Sequence, residues 1–138
     1  MRFFSIAAAL SAATVALAQE ALRYGTLTVN SDSNISAGQT LSLTYNSTVA
    51  RYTPKTVDFV LQGTRANGNQ TPFVILERND YSADQKVLQK DITFPDVKIA
   101  IGDDVSSWLV IAYITYDYDN YDPAVVLSGG TTAPITVV

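Results

Sequence analysis

The chain has 138 residues, no cysteine and no histidine, and its formal net charge is −4 at pH 7. Without histidine or cysteine it cannot form Ser-His or Cys-His nucleophile pairs, and most zinc and copper sites are excluded. The acidic balance argues against nucleic acid and against anionic membrane surfaces as partners, because both attract clusters of Lys and Arg. The fold must be held by core packing without disulfides, which is feasible at this length.

Residues 1–20, MRFFSIAAALSAATVALAQE, predict a secretory signal peptide. Arg2 provides the early positive charge, an uncharged apolar run follows, and the Ala-Leu-Ala motif ending at Ala18 has the small-x-small pattern of a cleavage site. The run is shorter than the ~20 apolar residues that span a bilayer, and no later run is long enough either. We therefore expect a signal peptide over 1–18 and a secreted, extracellular chain over 19–138, with no membrane span.

Short strands separated by turns make up the rest of the chain. Segment 39–46, QTLSLTYN, alternates most clearly, with Leu41, Leu43 and Tyr45 on one face. Segment 107–118 is apolar on both faces, which predicts a central strand whose first aromatic residue, Trp108, lies in the core. In chain order, strands are predicted at 22–30, 39–46, 55–63, 72–78, 86–94, 96–104, 107–118, 123–130 and 133–138, with a turn at Gly129-Gly130 before the last.

The spacing of these segments predicts an all-β fold. Strands recurring at roughly 8–12 residues, with no helical period, are typical of a single antiparallel β-sandwich of immunoglobulin or fibronectin type III type. The absence of a disulfide favours the fibronectin-like variant. An edge strand such as 133–138 could pair with a strand of a second copy of the chain, so a homodimer is one of the predicted assemblies.

Three N-glycosylation sequons begin at Asn34, Asn46 and Asn69. Each lies in or beside a predicted turn, where a glycan could extend into solvent. Together with the signal peptide they predict a secreted glycoprotein. The third is the weakest of the three, because Pro72 follows its triplet.

Residues 114–123, ITYDYDNYDP, contain the side chains of this chain that are best suited to bind a ligand. Tyrosine rings can stack on the C–H faces of a sugar, and Asp and Asn can bind its hydroxyls; tyrosine and asparagine also suit protein interfaces. The alternative is a polar hairpin tip, with Tyr113 and Tyr116 in the core or on the sheet surface. The candidate ligand-binding residues are Tyr116, Asp117, Tyr118, Asp119, Asn120, Tyr121 and Asp122.

Two other kinds of chemistry are weighed for the same stretch. Asp117, Asp119 and Asp122 could supply oxygens to calcium, but their spacing departs from that of the helix-loop-helix calcium loop. A carboxylate pair could hydrolyse glycosides, but one loop tip gives no sign of a cleft. We therefore expect no metal, no cofactor and no catalytic residue.

The leader MRFFSIAAALSAATVALA, the opening LTVNSDSNISAGQTLSLTY and the close YDNYDPAVVLSGGTTAPITV resemble small secreted proteins of mushroom-forming fungi, of the fungal immunomodulatory type. The likeness is general and carries over no site residues. It implies a non-enzymatic protein with a fibronectin-like sandwich that stimulates immune cells.

These expectations combine into one functional prediction. The chain is expected to be a secreted, non-enzymatic β-sandwich that binds cell-surface glycans or receptor proteins, in an immunomodulatory or effector-like role. The alternatives are a structural, cell-wall-associated glycoprotein and a carboxylate-dependent enzyme that acts on glycans.

Overall fold

Two β-sheets enclose one hydrophobic core in the computed structural model, which describes residues 22–118, 123 and 125–138. The predicted signal peptide, 1–18, and residues 119–122 of the candidate site lie outside the described residues.

Among the described residues from 26 to 137, the strands follow one another with one short helix between them. In chain order the elements are β1 (Thr26–Val29), β2 (Asn34–Ile35), β3 (Thr40–Asn46), β4 (Thr56–Arg65), β5 (Val74–Asp80), β6 (Val87–Thr93), α1 (Val97–Ile101), β7 (Val105–Tyr118) and β8 (Val125–Val137). The smaller sheet has the order β1-β3-β6 and the larger the order β2-β8-β7-β4-β5. All neighbours are antiparallel except β2 and β8, which run parallel. The prediction of an all-β chain is confirmed.

The alternating pattern of β3 places one face of the smaller sheet in the core. Leu41, Leu43 and Tyr45 are at most 1% exposed, while the residues between them are half-buried. This is the result expected for a strand with one face on the core and one toward solvent.

Strand β7 lies centrally in the larger sheet, between β4 and β8, as its apolar sequence predicts. Val110, Ala112 and Ile114 on its inner face are fully buried. Trp108 is also in the core, as expected, at 6% exposure. Its ring lies against Gly63 of β4, where a Cβ would lie 2.5 Å from Cγ1 of Val105 and 3.0 Å from Cε3 of Trp108. A glycine is therefore needed where the indole packs on the neighbouring strand.

Two predictions at the ends of the chain are wrong. Residues 22–24 are helical, and the predicted strand 22–30 begins only at Thr26. Gly129 and Gly130 form no turn, because they lie inside β8, which joins the two predicted strands into one. The reason is close packing: a Cβ on Gly129 would lie 2.3 Å from Cζ of Tyr24.

The strand predicted at 96–104 is also wrong, because this segment forms α1. The side chain of Asp96 accepts a hydrogen bond from the backbone N–H of Ile99 at 3.3 Å, which caps the helix start. Gly102 ends the helix with a φ of 102°, a conformation that favours glycine. Only Val97 of the helix is buried.

In the described part of the chain, no helix is long and apolar enough to cross a bilayer.

The register of the strands defines two ends of the molecule. The pairings of Thr26 with Asn46 and of Tyr118 with Val125 lie at the same end. We call this the tyrosine end; it comprises residues 22–25, the loops 47–55 and 81–86, and the end of β7. The opposite end, the helix end, carries α1 and the loop between β4 and β5.

Candidate ligand-binding site

Three tyrosine rings cluster at the tyrosine end. The rings of Tyr52 and Tyr116 stack with centroids 4.3 Å apart and an interplanar angle of 11°. The ring of Tyr24 lies 6.5 Å from that of Tyr116, tilted by 44°. Tyr116 is on the inner face of β7 and only 4% exposed. The cluster therefore joins a loop, the N-terminal segment and the central strand.

Two guanidinium groups lie over the outer rings of this cluster. Cζ of Arg23 is 5.3 Å from the ring centroid of Tyr24, and Cζ of Arg51 is 5.6 Å from that of Tyr52. Both distances are in the range of cation–π attraction. The backbone N–H of Arg51 also donates to the carbonyl of Leu22 at 2.8 Å. This backbone bond holds the loop 47–55 against the N-terminal segment, while each guanidinium lies over the ring of its own segment.

The buried position of Tyr116 affects its acidity. Burial raises the pKa of its hydroxyl above the ordinary tyrosine value, and the neighbouring Tyr24 and Tyr52 raise it further. The hydroxyl of Tyr116 is therefore uncharged around neutral pH.

A cleft of about 560 Å³ opens beside the cluster. Its lining residues are Arg51, Tyr52, Thr53, Pro54, Lys55, Tyr81, Ala83 and Asp117. Lys55 and Asp117 form an ion pair in this wall. The size is within the usual range for small-ligand sites, and the lining combines aromatic rings with both signs of charge.

The core of the domain supports the cleft from below. Tyr81 lies edge-on to Tyr45 with centroids 5.6 Å apart, and its hydroxyl is 2.9 Å from the hydroxyl of Ser47. The hydroxyl of Tyr45 donates to the backbone carbonyl of Tyr24 at 2.6 Å. The backbone N–H of Tyr81 donates to the carbonyl of Lys55 at 2.8 Å. Tyr81 thus holds the two loops of the tyrosine end together, and Tyr45 anchors the N-terminal segment.

Successive residues of β7 point to opposite faces of the sheet, so the predicted site residues on this strand are divided between the two faces. Asp117 points outward and lines the cleft, whereas Tyr116 points inward and is covered by Tyr52. Tyr118 is half-buried at the end of the strand. Tyr116 therefore supports the cleft from the core side and presents no free ring face. The remaining candidates, Asp119, Asn120, Tyr121 and Asp122, lie outside the described residues.

The neighbouring tyrosine, Tyr113, occupies the outer sheet surface. Its hydroxyl lies 2.9 Å from the hydroxyl of Ser128, and its ring centroid is 6.0 Å from that of Phe73. This agrees with the alternative placement on the sheet surface and separates Tyr113 from the cleft.

Sequence reasoning missed most of the cleft. Arg51, Tyr52 and Lys55 come from one loop and Tyr81 from another, and both are distant in sequence from Asp117. The available signal was the segment ARYTPK, where basic and aromatic residues are adjacent between two predicted strands. Binding residues are commonly on such loops.

The sequons are distributed over both ends of the molecule. Asn34 and Asn69 are exposed, on β2 and in the loop after β4. Asn46 ends β3 near the tyrosine end, half-buried, and its side-chain oxygen accepts a hydrogen bond from the N–H of Thr48 at 2.8 Å. Glycan attachment at these residues stays a prediction.

Metal ligands do not come together in the part of the chain that the structure describes. There, no three Asp, Glu, His or Cys side chains are grouped closely enough to hold a metal ion. Asp117, one of the three aspartates weighed for calcium, pairs instead with Lys55.

Comparison with known proteins adds no assignment. No model of a protein family matches the chain, and no curated protein sequence matches it at a significant level.

Proposed function

We propose that this chain is a secreted, non-enzymatic protein that binds glycans or receptor proteins on other cells through the cleft at the tyrosine end. The observation that carries the proposal is the construction of this cleft, where Arg51, Tyr52, Lys55 and Asp117 surround an opening fixed by hydrogen bonds to the core. Tyrosine and arginine are the residues most enriched at binding hot spots.

The chemistry of the lining fits a polar ligand with apolar faces. A sugar ring offers C–H groups to an aromatic ring and hydroxyls to charged side chains, and a receptor loop offers the same combination. Lys55 and Asp117 provide donors and acceptors close together, with side chains 64% and 28% exposed. Because the loops are anchored, little ordering is needed on binding, which favours affinity.

The strand order supports an immunoglobulin- or fibronectin type III-like sandwich. Strands β1, β3 and β6 correspond to A, B and E of that fold, and β4, β7 and β8 correspond to C, F and G in the opposite sheet. In this assignment the tyrosine end carries the loop between B and C and the last residues of strand F. Sandwich domains commonly bind through loops at one end.

The immunomodulatory or effector-like role in this proposal rests on the sequence resemblance to small secreted fungal proteins. A binding site on a small extracellular domain is compatible with such a role, since it needs recognition without catalysis.

The test is the binding of the mature chain, residues 19–138, to an array of polysaccharides and to immune-cell surfaces, with and without EDTA. Arg51→Ala and Asp117→Asn change the cleft lining and should each weaken saturable binding by about tenfold or more. Lys98→Ala on α1 is the matched control, because it removes a charge at the helix end. Circular dichroism checks that each variant is folded.

The outcomes separate the alternatives. Binding that Arg51→Ala and Asp117→Asn leave unchanged would overturn the proposed site, and loss in EDTA would point to a calcium-dependent ligand. Absence of binding to every glycan and cell type would favour the passive, wall-associated glycoprotein.

A further inference from the structure

The last strand, β8, has an open edge along most of its length. Strand β7 pairs with β8 on one side from Val125 to Ile135 without a register shift. On the other side, β2 pairs only at Thr136 and Val137. From 125 to 134, no strand in the described part of the chain pairs with β8 on that side. The edge predicted at 133–138 is therefore partly covered, and the open portion lies before it.

The direction of the free backbone groups follows from two hydrogen bonds. The N–H groups of Thr136 and Val138 donate to the carbonyls of Ser33 and Ile35, at 2.7 and 3.0 Å. Backbone groups of every second residue point to the same side of a strand. Every second residue before Thr136 therefore has its N–H group, where it has one, on the open edge. These residues are Val126, Ser128, Gly130 and Thr132.

This edge lacks two of the features that normally protect a strand from pairing. Proteins protect edges with charged side chains, bulges, prolines or short strands, and of these β8 carries one proline in phase with the open side, Pro134. Residues 123–138 contain no charged side chain, and the pairing of β8 with β7 has no bulge. At its start, Val125, Val126 and Leu127 are 40%, 67% and 38% exposed.

The other edges of the same molecule are protected. Strand β5 carries Glu77, Arg78 and Asp80, and its pairing with β4 contains a bulge. Strand β6 carries Lys90 and Asp91. Strand β1 has only four residues. The uncharged edge of β8 is thus an exception among the strands that the structure describes.

We propose that the open edge of β8 pairs with the same strand of a second copy, antiparallel across a two-fold axis, joining the two larger sheets into one. The absence of charge on this strand permits such self-pairing. Each chain has a net charge of −4, yet strands 123–138 of two copies meet without any like charges opposed. Self-pairing satisfies the same backbone groups on both copies, and it covers the exposed valines and leucine at the start of the strand.

The test uses the mature chain, residues 19–138, in sedimentation velocity over a dilution series. We expect twice the mass of one chain at high concentration and a single chain on dilution. Val126→Lys puts a charge on the edge at a side chain already in solvent, and it should raise the dimer dissociation constant by at least about tenfold. Ile75→Lys is the matched control, because it adds the same charge at a 50% exposed residue on the opposite edge of the sheet.

Amide hydrogen exchange provides a readout specific to the edge. The N–H groups of Val126, Ser128 and Gly130 should exchange slowly in the dimer and fast on dilution or in Val126→Lys. A chain that is monomeric at every concentration would overturn the proposal, whether those amides are protected or not. So would a dimer that Ile75→Lys disrupts while Val126→Lys leaves it intact.

Discussion

Replacing Gly129 by alanine should destabilise the domain, although alanine is ordinarily tolerated in strands. The new Cβ would lie 2.3 Å from Cζ, 2.4 Å from Cε1 and 2.7 Å from the hydroxyl oxygen of Tyr24. Carbon atoms in contact are about 3.5–4.0 Å apart, so the ring has to move by more than an ångström. That movement separates the ring of Tyr24 from the ring of Tyr116. It also displaces the backbone carbonyl of Tyr24, which accepts a hydrogen bond from the hydroxyl of Tyr45.

The expected cost is that of an overpacked site, about 1–3 kcal/mol. With a urea m-value of about 1–3 kcal/mol per molar, the unfolding midpoint should fall by about 1 M. The assay is urea unfolding followed by the fluorescence of the single tryptophan, Trp108, which is buried in the folded chain.

A double-mutant cycle isolates the cause. Tyr24→Ala removes the obstructing ring, so Gly129→Ala in that background should cost nothing or slightly stabilise the strand. If Gly129→Ala costs the same with and without the ring, or nothing in the wild-type chain, the packing explanation of this glycine is wrong.

Three further predictions concern the tyrosine end. Tyr45→Phe leaves the carbonyl of Tyr24 without its buried donor and should lower the free energy of unfolding by about 1–2 kcal/mol, measured by urea unfolding at neutral pH. Burial raises the pKa of Tyr45 and of Tyr116 above the ordinary value of 10.0. Above about pH 10, only the unfolded chain loses these two protons. The free energy of unfolding should therefore be constant below about pH 10 and fall as the pH rises further. Tyr45→Phe should make that fall shallower, and an equal fall in both proteins would contradict the assignment. Asp117→Asn breaks a largely solvated ion pair with Lys55 and should change the free energy of unfolding by less than about 1 kcal/mol; a larger change would mean that the pair holds the loop in place.

The fold could be predicted wherever burial produces a regular pattern. In β3 one face is buried and the other half-exposed, so Leu41 and its alternating neighbours show the strand directly. In β7 the outer face is partly covered as well, and its continuous apolar sequence indicates a central position.

The wrong predictions concern segments in which the alternation or composition of the sequence indicates one structure, whereas capping residues or packing from other segments impose another. Val97, Ile99 and Ile101 alternate like a strand, yet Ile99 is 85% exposed and the segment is helical. The deciding residues are Asp96 and Gly102, a cap and a terminator. Gly129 and Gly130 have the composition of a turn, but the side chains that require glycine there belong to other segments, which a local pattern does not reveal.

The candidate site was only partly accessible to prediction for a similar reason. A cleft is formed by segments that meet in space, and the 114–118 stretch contributes only Asp117 to its lining. The inward position of Tyr116 follows from the phase of β7, which its uniformly apolar sequence does not fix.

The parallel pairing of β2 with the end of β8 has a consequence for how the chain acquires its structure. Thr136 and Val137 lie about 100 residues beyond their partners Asn34 and Ile35. Strand β2 therefore cannot join the larger sheet until residues 136 and 137 have been synthesised. Such distant pairing makes folding slow, and until it is complete the unpaired early strands are exposed to other chains.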